Sequence, residues 1–140
     1  MEVIEQRPRL MSLRVTHFNG DNAVPAHPPQ PLKLELAQEI EVGLGSSVAP
    51  GGPLLALVKV TLRANATTPE GAATGAEFEG RYEGKFEYPA DVKEEQIAAR
   101  FATESYQYVL VAQVVPLTMT HFRRELQAMG LDARELPLGL

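Results

Sequence analysis

The sequence predicts an α+β fold, a four-stranded antiparallel β-meander followed by one long, kinked C-terminal helix. Three observations carry this. Residues 76–88 alternate without a break, with Phe78, Gly80, Tyr82, Gly84, Phe86 and Tyr88 at even positions and Glu77, Glu79, Arg81, Glu83, Lys85 and Glu87 at odd ones. Successive side chains on a strand point to opposite faces, so this is a long strand with one dry and one charged face. Two earlier segments, 32–44 and 54–66, repeat the same parity. From Tyr108 onward, apolar residues instead recur at spacings of four and three, the period of one helix face.

Length and composition bound the rest. The 140 residues form a single domain, 1–140, with 44% hydrophobic and 22% charged residues, as in ordinary globular proteins. There is no cysteine, hence no disulfide and no thiolate site. With no leader segment in view, a cytoplasmic location is expected. Thirteen basic and 18 acidic residues give a net charge of −5, and Arg123-Arg124 is the one basic cluster. That balance disfavours nucleic acid as a partner, because phosphate neutralisation needs clustered Lys and Arg. The apolar run 106–117 is too short for a membrane span, which needs about 20 residues, so it is expected to be buried in protein.

The first strand is read at 10–18, at an edge, with Met11, Leu13 and Val15 on one side and Ser12, Arg14 and Thr16 on the other. Asn19-Gly20-Asp21-Asn22 is a turn signal. Pro25, Pro28, Pro29 and Pro31 make 23–31 an extended connection. The second strand places Leu32, Leu34, Leu36, Ile40, Val42 and Leu44 on one face, with Gln38 the exception. The third carries Leu54, Ala56, Val58, Val60, Leu62 and Ala64. Glycine- and proline-bearing loops at 43–52 and 67–75 join the strands as hairpins.

The helical region runs over about 92–130. Asp91 with Glu94 reads as a capping box, and Ile97, Ala98, Phe101 and Ala102 give the first turns an apolar side. The seam continues as Tyr108, Ala112, Val115, Met119, Phe122, Leu126 and Met129. Gly130 ends it in a Schellman arrangement, with Leu131 reaching Leu126. Pro116 inside the run predicts a kink. Before Pro116 the helix is apolar all round, with Val109, Leu110, Val111, Val114 and Val115 covering every direction. A single sheet covers only one side of such a helix. The second cover is expected from another copy, giving a homo-oligomer, tetrameric or at least dimeric, with 108–117 at the interface.

These features resemble the SecB family of protein-export chaperones. The likeness lies in the architecture and in the order of short strings: Gln30-Pro31-Leu32-Lys33-Leu34-Glu35-Leu36, then Val114-Val115-Pro116, Phe122-Arg123-Arg124-Glu125-Leu126, Met129-Gly130 and Glu135-Leu136-Pro137-Leu138. The resemblance implies an ATP-independent holdase, a dimer of dimers that binds unfolded or precursor polypeptides in apolar grooves, some members accompanying toxin–antitoxin pairs. It implies polypeptide-binding roles for Leu32, Leu34, Leu36, Tyr106 and Tyr108. It also implies an acidic docking surface for the export motor ATPase at Glu77, Glu79 and Glu83. The sequence shows neither the family's acidic tail nor its full segment after the helix, which weakens the implied hand-off to a translocase.

Each site residue has a plainer reading. Leu32, Leu34 and Leu36 suit the dry face of a strand, the tyrosines suit a core edge, and the glutamates suit a solvated sheet face. His17, His27 and His121 have no metal-ligand spacing, no hydroxyl residue has a nucleophile motif, and no phosphate-cradling glycine pattern occurs. The expectation is a binding protein without cofactor or metal, not an enzyme. Two alternatives remain beside the general holdase. One is a dedicated or antitoxin-associated SecB-like chaperone with a single client. The other is a small-ligand or hot-dog-like enzymatic domain, in which, however, the long helix lies between strands.

Overall fold

The computed structural model describes residues 7–25, 30–46 and 51–136. Strands β1 (Arg9–Asn22), β2 (Lys33–Ser46), β3 (Leu54–Thr67) and β4 (Ala73–Glu87) form one antiparallel sheet. Helices α1 (Glu94–Phe101) and α2 (Glu104–Ala128) follow. His27, Pro28 and Pro29, part of the 43–52 loop, and Pro137-Leu138 lie outside the described residues.

The four antiparallel strands and the C-terminal helix are as the sequence predicts, but the strand order is β1-β4-β3-β2. The hairpin meander therefore covers β2 to β4, while β1 pairs with β4 at the far edge. Ten residues separate the end of β1 at Asn22 from the start of β2 at Lys33, more than the two to five of a tight hairpin, so the two strands are not held side by side by their connection. β1 also continues through the segment read as a turn. Asn19 and Asp21 stand in register with Glu79 and Glu77. The Asn22 side-chain amide donates to the Met129 carbonyl at 2.6 Å, which ties the strand end to the end of α2.

β1's weak alternation has a cause in its register. Extra residues at Met11 and Thr16 form two bulges against β4, and each shifts the side-chain parity by one. The residues opposite β4's buried face are thus Leu10, then Leu13 and Val15, then Phe18, Gly20 and Asn22. No single parity describes the strand, and Met11 is not on the face of Leu13 and Val15 as strict alternation would have it.

The even positions of β3, and those of β4 from Ala76 to Phe86, are buried together with Ile97 and Phe101 of α1 and Val114, Val115, Met119, Phe122 and Leu126 of α2. Two glycines let α2 sit low on β4. A Cβ at Gly84 would meet Val114 at 2.7 Å, and one at Gly80 would meet Phe122 at 3.1 Å. Eight helical residues rise about 12 Å and four strand residues about 13 Å, so α2 runs antiparallel to β4 with matched spacing.

The helical region is two helices, not one. Thr103 caps α2, its hydroxyl accepting the Tyr106 N–H, and the chain turns there. Asp91 is not a cap: Val92 N–H bonds to the Pro89 carbonyl, placing Asp91 in a turn. α1 starts after Lys93, whose N–H is accepted by the Gln96 side chain at 2.8 Å. α2 runs through Pro116 as one 25-residue element. Its end is the expected Schellman motif, with Leu131 N–H to Leu126 O and Gly130 N–H to Gln127 O, and Gly130 at φ 91°.

Candidate functional site

α2 lies over the middle of the sheet and leaves its β2 flank partly open. Leu34, Leu36, Ile40, Val42 and Leu44 are only half-buried, although they pack against the core. Their β3 partners, Ala66, Ala64, Val60, Val58 and Ala56, are buried. β2 is an edge strand, so its side chains have a neighbouring strand on one side only; three of its leucines also stand opposite small alanines of β3. Gln38, opposite the buried Leu62, is the polar break in the strip. Half-buried Leu32 precedes it.

The sequence-predicted binding residues do not converge. Leu34 pairs through Ala66 with Ala76, near the end of the sheet where Met129 sits against Gly20. Leu44 pairs through Ala56 with Phe86, at the opposite end, where α2 begins. The two are ten steps apart along β2, about 34 Å. Tyr106 and Tyr108 therefore belong to the other end from Leu32, Leu34 and Leu36, and one groove lined by all five is not formed.

Tyr106 is half-buried and serves the core. Its hydroxyl meets that of Tyr88 at 2.5 Å, and its ring lies 5.9 Å from that of Phe101. Burial, and next the bond to Tyr106, push the Tyr88 phenol far above its usual pKa. Tyr108 is 57% exposed, with Val109 at 45% and Leu117 at 47%. Together with half-buried Ala112 and Pro116 they form an outward apolar face on α2. Val111 and Val114, by contrast, are 8% and 0% exposed against the sheet, so they are core residues and not the outward surface. Tyr108 and Ala112 in turn leave the predicted seam, which begins at Leu110 and Val111. The apolar all-round run carried the signal for an outward face, but periodicity alone did not say which residues point inward.

On the other side of the sheet the predicted acidic surface is a lattice of alternating charge. Arg14 donates to Glu83 at 2.9 Å, Arg81 to Glu79 at 2.6 Å, and Arg63 reaches both Glu39 and Glu79. The Arg81 hydrogen bond, above all, holds the Glu79 carboxyl below the usual carboxylate range. Glu77 is exposed, and with Asp21 and Glu35 it borders a hollow of about 580 Å³ in this face, which Arg63 and Asn65 also line.

One cluster was not visible in the sequence. The Tyr82 hydroxyl lies 2.9 Å from His121 Nδ1, and His121 Nε2 lies 3.6 Å from Glu125. Phe18 and Tyr82 both pack edge-on to the imidazole. Burial pushes the Tyr82 phenol far above its usual value. The cluster spans α2 and β4 and fastens one to the other. Among the described residues no group of three or more His, Asp or Glu is placed to hold a metal ion, and no helix is long and apolar enough to cross a membrane.

No protein-family model matches the sequence, and no curated protein matches it. Among solved structures the chain is similar to the Mycobacterium tuberculosis Rv1957 SecB-like chaperone, determined in complex with a ChAD peptide from the Rv1956 HigA1 antitoxin. The TM-score is 0.60 at 17% identity, over 96% of this chain and 89% of that one. At that identity the likeness establishes the fold, which is SecB-like.

Proposed function

We propose that this chain is an ATP-independent chaperone that holds unfolded polypeptides along the β2 flank and works as a homo-oligomer. The observation that carries this reading is the open strip of Leu34, Leu36, Ile40, Val42 and Leu44 beside α2. Soluble monomers seldom leave extended apolar surface without a use for it. A strip of aliphatic side chains recognises apolar chain and not sequence, each leucine-sized client side chain contributing about 1.5–3 kcal/mol when fully buried. Such contacts need no nucleotide, metal or catalytic group, so the protein acts as a binder and not as an enzyme, in the cytoplasm where chains are still unfolded.

The outward face of α2 is the proposed contact between copies. Tyr108, Val109 and Leu117 are too apolar for a helix left in water, and a tetramer built as a dimer of dimers would cover them. The second reading is a dedicated chaperone with one client. It is favoured by the peptide-bound state of the similar structure, whose ligand comes from an antitoxin. A role in general export has less behind it: Glu79 and Glu83, the proposed docking residues for an export ATPase beside Glu77, are already neutralised by arginines.

Light scattering during dilution of a denatured, reduced client tests the proposal. The expected result is suppressed aggregation at near-stoichiometric ratio, without ATP, by an assembly larger than a monomer. Undiminished client aggregation at excess chaperone would overturn it.

A further inference from the structure

α1 and α2 meet at a short turn that one side chain organises. The Thr103 hydroxyl donates to the Arg100 carbonyl at 2.7 Å and accepts the Tyr106 N–H at 3.4 Å. The Gln107 side chain adds a bond to the Phe101 carbonyl at 2.8 Å, so Arg100 and Tyr106 are fixed relative to each other. The start of β1 closes the third side, since Arg9 stands opposite Glu87 and brings Arg7 to the end of β4. Between the three segments lies a cavity of about 150 Å³. Its walls are apolar at Pro8, Val109 and Leu110, and its polar side chains are Arg7, Arg100, Tyr106 and Gln113. No Asp or Glu lines it, in a chain with 18 acidic and 13 basic residues.

The tyrosine pair turns a donor towards this cavity. Tyr88 is buried, and Tyr106 is its one side-chain hydrogen-bond partner among the described residues. Two hydroxyls carry two hydrogens, and their mutual bond uses one. A buried O–H without an acceptor is costly, so Tyr88 donates and Tyr106 accepts. The Tyr106 hydrogen then points away from Tyr88, and Tyr106 lines the cavity. Burial first, and then this bond, raise the Tyr88 phenol, as a bond given by the neutral phenol does, while nearby Arg100 acts the other way. Arg7 is exposed and has no ion-pair partner among the described residues. Arg100 carries the five N–H donors of any guanidinium, more than a single partner uses.

We infer that this cavity binds a small carboxylic acid whose apolar body is about the size of one ring, its carboxylate held by Arg7, Arg100 and the Tyr106 hydroxyl. The inference goes beyond the polypeptide-binding reading and stands apart from it. A cavity of roughly 150 Å³ with apolar walls accommodates a benzene-sized group. Guanidinium groups recognise a carboxylate through paired, charge-assisted hydrogen bonds, and an amine in the same place would meet two like charges.

The test titrates benzoate into the full chain at low ionic strength, where exposed charges are least screened. Benzamide serves as the neutral isostere, and inorganic phosphate as an anion without an apolar body. Calorimetry gives the affinities, and NMR shifts at the Tyr106, Leu110 and Gln113 amides locate the ligand. Benzoate should bind about tenfold more tightly than either control, or better, and should move those three amides. Arg7→Gln should weaken benzoate about tenfold, and Tyr106→Phe severalfold. Gln113→Glu should abolish binding, because it sets a competing carboxylate beside the arginines. Tyr106→Phe also takes the acceptor from Tyr88, so circular dichroism first confirms its fold. Arg7→Gln removes no ion pair among the described residues and decides the matter if Tyr106→Phe does not fold. Equal affinity for benzoate and benzamide, equal affinity for phosphate, or unchanged benzoate affinity in Arg7→Gln would overturn the inference. A peptide ending in a free phenylalanine carboxylate that binds over about tenfold more tightly than benzoate would assign the cavity to chain ends and overturn the small-acid assignment.

Discussion

Val114 of α2 sits directly on Gly84 of β4, so closely that a Cβ on the glycine would come within 2.7 Å of Val114 Cγ2. This is why Val114 is fully buried, and why the apolar half of α2 turns these valines to the sheet.

Gly84→Val should therefore lift α2 from the sheet. Overpacking of this kind costs about 1–3 kcal/mol, which for a chain of this size lowers Tm by roughly 3–10 °C. Differential scanning calorimetry checks it, and an unchanged Tm would contradict the close approach.

Stability should also fall at alkaline pH. The Tyr82 and Tyr88 phenols are raised well above their ordinary value of 10.0 in the folded state, chiefly by burial. Their contribution is complete below the unfolded value and is lost as pH rises, because the unfolded chain ionises first. Thermal denaturation followed from pH 8 to 11 should show Tm steady to about pH 9.5 and declining above it. Tyr88→Phe should flatten that decline.

The outward face of α2 makes a prediction about assembly. Val109→Asp or Leu117→Asp should split the oligomer into folded, smaller species, because an unpaired charge in a dry interface is costly. Val111→Asp should instead unfold the protein, since Val111 faces the sheet. Size-exclusion chromatography with light scattering, read beside circular dichroism, separates the two results. A wild-type monomer at micromolar concentration would count against the interface.

The parts of this fold that were legible in the sequence are those where one local rule decides. Residues 76–88 alternate because β4 is regular and central, and Gly130 with Leu131 ends α2 by local hydrogen bonds alone. β1 was legible as a strand but not in its facing, because the bulges at Met11 and Thr16 exist only in relation to β4. The candidate site was legible in part. Parity put Leu34 and Leu36 on one face of β2, yet it does not reveal that α2 starts at the other end of the sheet, which separates them from Tyr106 and Tyr108. Nor does it show that Glu79 and Glu83 meet arginines on neighbouring strands, or that Tyr82 reaches His121 across the core.

Client capture gives the last prediction, and it divides residues that the sequence grouped together. Leu36 and Val42 are half-buried on the open strip, so Leu36→Ser or Val42→Ser should raise the concentration needed to suppress client aggregation severalfold. Because these side chains are already partly in water, their loss should cost less than the 2–5 kcal/mol typical of truncating a large core aliphatic. Tyr106→Ser should lower Tm instead, since its hydroxyl and ring hold Tyr88 and Phe101. Tyr108→Ser should alter assembly and leave the affinity of the β2 flank for an isolated peptide unchanged, because Tyr108 lies on the outward face of α2. Aggregation suppression, peptide affinity and Tm measured on the same four variants separate the three roles. If Leu36→Ser and Val42→Ser melt early yet capture client as well as the parent, the strip is core and the client is held elsewhere.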